Sequence, residues 1–183
     1  MKATKMILTL MRSVAQLGRH GCRYLGANIS RSLVSSPQES QLDSSLTTVQ
    51  HALVRRAKPD HTKVPFGQAG CSDHMLTVRW EEGRGWEEPR ILPYGELSLD
   101  PCSKVLHYAQ EVFEGMKAYR GVDGRVRLFR PDLNMKRMNT SARRAQLPTF
   151  PPGELLGCIQ RLDNFNILQD FRTVQILTIH LAG

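Results

Sequence analysis

The stretch that most constrains this chain runs over residues 106–144, where a strand, a reversal, a second strand and a helix follow one another without a gap. An aromatic-bearing segment, residues 106–115, leads into a strand at 116–120, and Gly121-Val122-Asp123-Gly124 turns the chain into a second strand at 125–130. An Asp-Gly pair between two β-like runs signals a hairpin, because glycine accepts the positive φ that such turns need. Alternation supports the second strand, with Val126 and Leu128 on one face and Arg125 and Arg127 on the other. Pro131 cannot donate to a ladder, so the strand stops there, and its fixed φ suits the first turn of a helix.

That helix is predicted over residues 131–145. Met135, Met138, Ala142 and Ala145 recur with helical spacing and form one apolar face. Arg137, Ser141 and Arg144 form a neighbouring stripe. An arginine bordering a buried face can hold a phosphate or carboxylate through two parallel charge-assisted bonds. The plainer reading of the same stripe is a solvated basic face, and spacing alone favours it.

Twenty-five basic residues against seventeen acidic ones give a formal charge of +8, but the excess is uneven. Residues 1–38 hold Lys2, Lys5, Arg12, Arg19, Arg23 and Arg31 with no acid, and the remainder is nearly neutral. The charge therefore describes one end of the chain and argues against a nucleic-acid-binding surface, which needs basic residues gathered on a folded face. Read as a helix, Met6, Leu10, Val14 and Leu17 would line one side of that end. An acid-free, Arg- and Ser-rich, amphipathic start is the pattern of a mitochondrial transit peptide, with a disordered basic tail as the alternative. No segment approaches the roughly 20 apolar residues of a membrane span. Cys22, Cys71, Cys102 and Cys158 show neither a CxxC spacing nor a histidine at metal-site distance, so no metal site is expected.

Residues 39–63 are polar and read as a linker, with a first short element near residues 47–53. Residues 75–80 alternate as a half-buried strand, Leu76, Val78 and Trp80 facing one way. Asp73-His74 could be an acid orienting an imidazole, but a histidine entering a strand is more often hydrogen-bonded scaffolding. A turn follows at 83–86, then a strand region at 90–99 broken at Pro93 and Gly95. Glu114 and Lys117 form a candidate surface ion pair, a weak interaction with no catalytic role. After the break at residues 148–152, Leu155, Ile159 and Leu162 mark the inward face of a helix over 154–162. Residues 174–181, VQILTIHL, are apolar and β-prone and read as an aggregation segment.

Several ordered motifs carry a family resemblance: FG at 66–67, SDHML at 72–76, LHY at 106–108, FEGMKAYRG at 113–121, RLFRP at 127–131 and LNM-x-RM at 133–138. Over residues 64–162 the chain resembles the branched-chain amino acid aminotransferases, pyridoxal-phosphate enzymes of fold type IV, and most of all their mitochondrial animal form. The resemblance implies transfer of the amino group of leucine, isoleucine or valine to 2-oxoglutarate, in a homodimer of the mitochondrial matrix. It implies that Arg137 holds the phosphate of pyridoxal phosphate and that Phe66, Tyr108 and Phe113 line an apolar substrate pocket. The plainer reading of these aromatics is ordinary packing. None of Lys104, Lys117 and Lys136 stands where the family places its Schiff-base lysine.

The expected fold is α/β (α+β), the small N-terminal domain of fold type IV, with an antiparallel sheet covered by helices on one face. The expected boundaries are a transit peptide or disordered end at 1–38, a linker at 39–63, the small domain at 64–162 and a divergent tail at 163–183. The lysine-bearing second domain is expected to be missing, which would leave the chain inactive alone. The alternative is a non-catalytic short form acting as an interaction or regulatory module on full-length subunits.

Overall fold

The computed structural model describes residues 4–13, 39–54, 72–167 and 175–182. Strands β1 (Thr4–Ser13), β2 (Thr48–Val49), β3 (His74–Glu81), β4 (Gly85–Trp86), β5 (Arg90–Pro93), β6 (Glu111–Arg120), β7 (Val126–Leu128) and β8 (Gln175–Ala182) form one sheet. The helices are α1 (Lys104–Tyr108), α2 (Pro131–Arg144) and α3 (Pro152–Ile167), with a single 3-10 turn at Ser44–Leu46. Strand order is β2-β5-β3-β1-β8-β6-β7, and β4 pairs with β3 off that path.

The hairpin and its helix form as the sequence predicts. Gly121 N–H donates to Arg125 O at 2.8 Å, and Gly124 takes φ +75°, a conformation open to glycine without strain. Asp123 fastens the return strand by accepting the Arg125 N–H at 3.1 Å and both Arg127 terminal nitrogens at 3.0 and 2.7 Å. The Arg127 guanidinium, then the Arg125 amide, hold the Asp123 carboxyl down at about 2. Pro131 opens α2, where its missing N–H leaves no bond unmade.

One core lies between a face of the sheet and the two long helices. Leu76 and Val78 of β3, Ile91 of β5, and Met116 and Ala118 of β6 meet Met135, Met138 and Ala142 of α2 and Leu155, Cys158, Ile159 and Leu162 of α3. The predicted inward faces of β3 and of both helices are therefore the ones observed. On the outer face Arg79, Phe113 and Lys117 are exposed.

Several expectations differ from the structure. The sheet is mixed: β1 runs parallel to both β3 and β8, and β2 runs parallel to β5. The two local antiparallel units, β3/β5 and β6/β7, do not pair with each other, because strands from the two ends of the chain lie between them. Residues 4–13 are thus a strand and not a helix face, in register with β3 from Leu8↔Leu76 to Ser13↔Glu81. The apolar run near the C-terminus becomes β8, with β1 on one side and β6 on the other, so its backbone is not the open edge that templates aggregation. The same partner explains why β6 starts at Glu111, ahead of the predicted residue 116.

The start of the expected linker is pinned to the domain. Leu42 is buried in the core, Ser40 pairs with Gly85, and the Ser40 hydroxyl lies 2.6 Å from Arg84 O and 2.8 Å from Trp86 O, donating its one hydrogen to one or the other. Gly85 is required there, since a Cβ would strike the Ser40 backbone. The strand region expected at 90–99 ends at Pro93, where proline removes the next ladder donor. Helix α1 was not predicted; it follows an Asp100 turn in which the carboxylate accepts the Cys102 N–H at 2.7 Å.

Candidate functional site

Arg137 lies on α2, one turn beyond Asn134, facing β6. Strand alternation turns Val112, Glu114, Met116 and Ala118 toward the helices and Phe113, Gly115 and Lys117 away. Glu114 therefore meets α2. Arg137 Nε donates to Glu114 Oε2 at 3.1 Å and Nη2 to Oε1 at 2.8 Å, a two-bond fork. Asn134 Nδ2 adds a bond to Glu114 Oε1 at 3.0 Å and reaches Gly115 O at 2.7 Å. The Glu114 side chain is only 11% exposed, whereas that of Arg137 is 60% exposed. Hydrogen bonding to Glu114, then its charge, pushes the Arg137 guanidinium above its already high value, so the group is permanently cationic.

The predicted Glu114–Lys117 pair is replaced by this one. A strand places residues three apart on opposite faces, so Lys117 points away from the carboxylate that Arg137 engages. Sequence reasoning gave Glu114 no role and did not name Asn134. The available signal was the even spacing from Glu114 to Met116 and Ala118, which marks the helix-facing side.

The guanidinium offers five N–H donors, and the fork to Glu114 uses two. Both Nη1 hydrogens and the second Nη2 hydrogen remain to hold an anion on the exposed edge. This donor set fits a phosphate.

The other named residues are placed differently. Tyr108 closes α1 at 81% exposure and Phe113 lies on the outer face of β6 at 73%, so Phe113 and Arg137 occupy opposite faces of the sheet. Phe66 lies outside the described residues. Lys104, Lys117 and Lys136 are all exposed, which leaves none of them in the desolvated setting that makes a lysine amine nucleophilic at neutral pH. His74 is scaffolding, as the sequence reading favoured: it is buried and its Nε2 accepts the Ala52 N–H at 3.0 Å. Cys158 is a buried packing residue whose thiol is pushed up by burial. A separate open groove of about 740 Å³ is lined by Asp43, Trp86, Glu87, Glu88 and Arg90, among others, and does not include Arg137. Among the described residues no helix is long and apolar enough to cross a membrane.

No family model matches the chain. Among curated proteins it is 56% identical over 111 residues to the cytosolic branched-chain-amino-acid aminotransferase of Mus musculus, covering 61% of this chain and 28% of that protein. The cytosolic enzyme of Saccharomyces cerevisiae is 54% identical over 117 residues, 64% of this chain and 30% of its own length. The mitochondrial enzyme of Bos taurus is 53% identical over 106 residues, 57% of this chain and 27% of its own length. The homologues are branched-chain-amino-acid aminotransferases, and the matched stretch spans under a third of each. Cytosolic and mitochondrial forms both stand among them, so likeness alone does not single out the mitochondrial type.

Proposed function

We propose that this chain carries the phosphate-gripping, substrate-facing part of a pyridoxal-phosphate-dependent branched-chain aminotransferase of fold type IV. One observation carries the reading: more than half of the residues are identical to such enzymes across a stretch of about 110. Arg137 lies within the LNM-x-RM motif and keeps one guanidinium edge unengaged by Glu114. The amino group of leucine, isoleucine or valine passes to 2-oxoglutarate, giving a branched 2-oxo acid and glutamate.

Pyridoxal phosphate supplies, when bound, a ring that stores the electrons released as the substrate's α-proton leaves. This chain's part is binding and orientation. Arg137 holds the phosphate. Phe66, Tyr108 and Phe113 are pocket residues by resemblance alone: Tyr108 and Phe113 stand exposed, and Phe113 lies across the sheet from Arg137, so a closed pocket around a branched side chain needs further chain packed against them. The amine that anchors the coenzyme is none of Lys104, Lys117 and Lys136, all of which are exposed. No measurable transamination is expected from these 183 residues by themselves. The working assembly is a homodimer in the mitochondrial matrix, with residues 1–38 as the transit peptide. Removal of that segment would take β1 out of the sheet and leave β3 and β8 without their shared neighbour.

A second reading, a non-catalytic module acting on full-length subunits, is favoured by the exposed Leu106, Tyr108, Phe113 and Phe129, apolar surface available to another chain. Dose-dependent inhibition of a full-length relative by this chain would support it.

The test of the main reading is calorimetric titration with pyridoxamine phosphate, which has no aldehyde to modify surface lysines. Arg137→Ala is expected to weaken binding about tenfold, the scale of one charge-assisted contact, and to leave phosphate-free pyridoxamine unchanged. Equal affinities in the two proteins would refute the phosphate grip.

A further inference from the structure

We propose that Glu114 is a positioning residue that fixes which edge of Arg137 a phosphate meets, with Asn134 holding Glu114 in turn. The inference rests on the reading of Arg137 as the phosphate grip and extends it to two residues that do not themselves touch the ligand.

An unrestrained arginine samples many rotamers, and each must be given up when it grips an anion. Here the plane is set beforehand. The fork to Glu114 uses Nε and one Nη2 hydrogen, so the guanidinium can neither rotate about its last bond nor present that edge outward. What faces solvent is the Nη1 side, with the second Nη2 hydrogen beside it. The fork works as a fixture only if the carboxylate is itself fixed. Glu114 Oε1 accepts three donors: Arg137 Nη2 at 2.8 Å, Asn134 Nδ2 at 3.0 Å and the Gly115 N–H at 3.1 Å. Asn134 is buried, and its amide also donates to Gly115 O at 2.7 Å. Helix α2 and strand β6 are thereby joined at the one point from which Arg137 projects.

Orientation and charge make opposite forecasts for the same substitution, which is what makes the idea decidable. A carboxylate beside an anion site repels the anion, so neutralising Glu114 should tighten phosphate binding if only charge matters. If Glu114 serves to orient, Glu114→Gln should weaken binding although it removes that repulsion, because an amide cannot accept both bonds of the fork.

The experiment titrates the full 183-residue chain with pyridoxamine phosphate, with pyridoxamine as the phosphate-free control, in four proteins: the natural chain, Arg137→Ala, Glu114→Gln and Asn134→Ala. Glu114→Gln is expected to lose about tenfold in affinity for the phosphorylated probe and nothing for the control. Asn134→Ala leaves every charge in place and is expected to lose several-fold. Thermal melts identify any variant that fails to fold, and the other then decides. Unchanged or tighter binding in the folded variants, with Arg137→Ala weakened, would overturn the positioning role while leaving the grip intact. Equal binding by the natural chain and Arg137→Ala would overturn the grip, and the positioning role with it.

Discussion

Replacing Asp163 by asparagine should stabilise this protein at neutral pH, and the gain should vanish in acid. Asp163 lies on α3, beside the core residue Leu162, with 4% of its surface exposed and no hydrogen-bond partner for Oδ1 among the described residues. Burial pushes its carboxyl from 3.8 up to about 6, since a charge removed from water without compensation is disfavoured. A rise of that size corresponds to about 3 kcal/mol. Between pH 4 and 6 the unfolded chain has released this proton while the folded chain retains it. Stability from this group is therefore complete below about pH 4 and is lost as pH rises through 6. Asparagine has the shape of the protonated acid and cannot ionise. Urea unfolding of both proteins should show near-equal stability at pH 4 and a gap of about 3 kcal/mol in favour of Asp163→Asn at pH 7.5, or roughly 1–2 M in midpoint. The comparison cancels Asp43, Asp123 and Glu154, whose carboxyls are lowered and act with the opposite sign in both proteins. A gap that does not change with pH, or a variant that is weaker at pH 7.5, would refute the reasoning.

Other substitutions test the packing that holds α2 and α3 in place. Asn139 accepts the Phe150 N–H at 3.1 Å and donates to Phe150 O at 2.9 Å, so Asn139→Ala strands two buried backbone groups and should cost about 2–4 kcal/mol in urea unfolding. Gly157→Ala should lower stability by about 1 kcal/mol although alanine favours helix, because its Cβ would meet Ser44 Oγ at 2.8 Å and Ser44 Cβ at 2.9 Å. Glu154 accepts the Ser44 N–H at 2.7 Å, and Ser44 lowers its carboxyl, so Glu154→Gln should flatten the acid limb of the stability profile below pH 4.5. Borohydride reduction of the chain with pyridoxal phosphate should give scattered, substoichiometric lysine labelling, read by peptide mass, with no turnover; one stoichiometric site would contradict the exposed setting of Lys104, Lys117 and Lys136.

The legible parts of this fold are those written within a few residues. The hairpin turn, the alternation of β3 and the apolar faces of α2 and α3 depend on neighbours three or four positions apart, and all are found where the sequence put them. The placement of β1 and β8 depends instead on pairing between the two ends of the chain, and no local period records which strand will lie beside which. That is why residues 4–13 suggest a helix face and the last apolar run suggests aggregation. At the site, Arg137 was legible as a basic residue at the margin of an apolar face. Glu114 was not, because sequence proximity to Lys117 hid the strand parity that turns the two apart. Asn134 looks like any polar helix residue until β6 is laid against it.

The proposed phosphate recognition comes down to one edge of one guanidinium. Phosphorus-detected magnetisation transfer between bound pyridoxamine phosphate and nitrogen-labelled arginine would read it directly. A transfer to the Nη nitrogens of Arg137, absent in Arg137→Ala, is the predicted result; transfer to other arginines alone would contradict it.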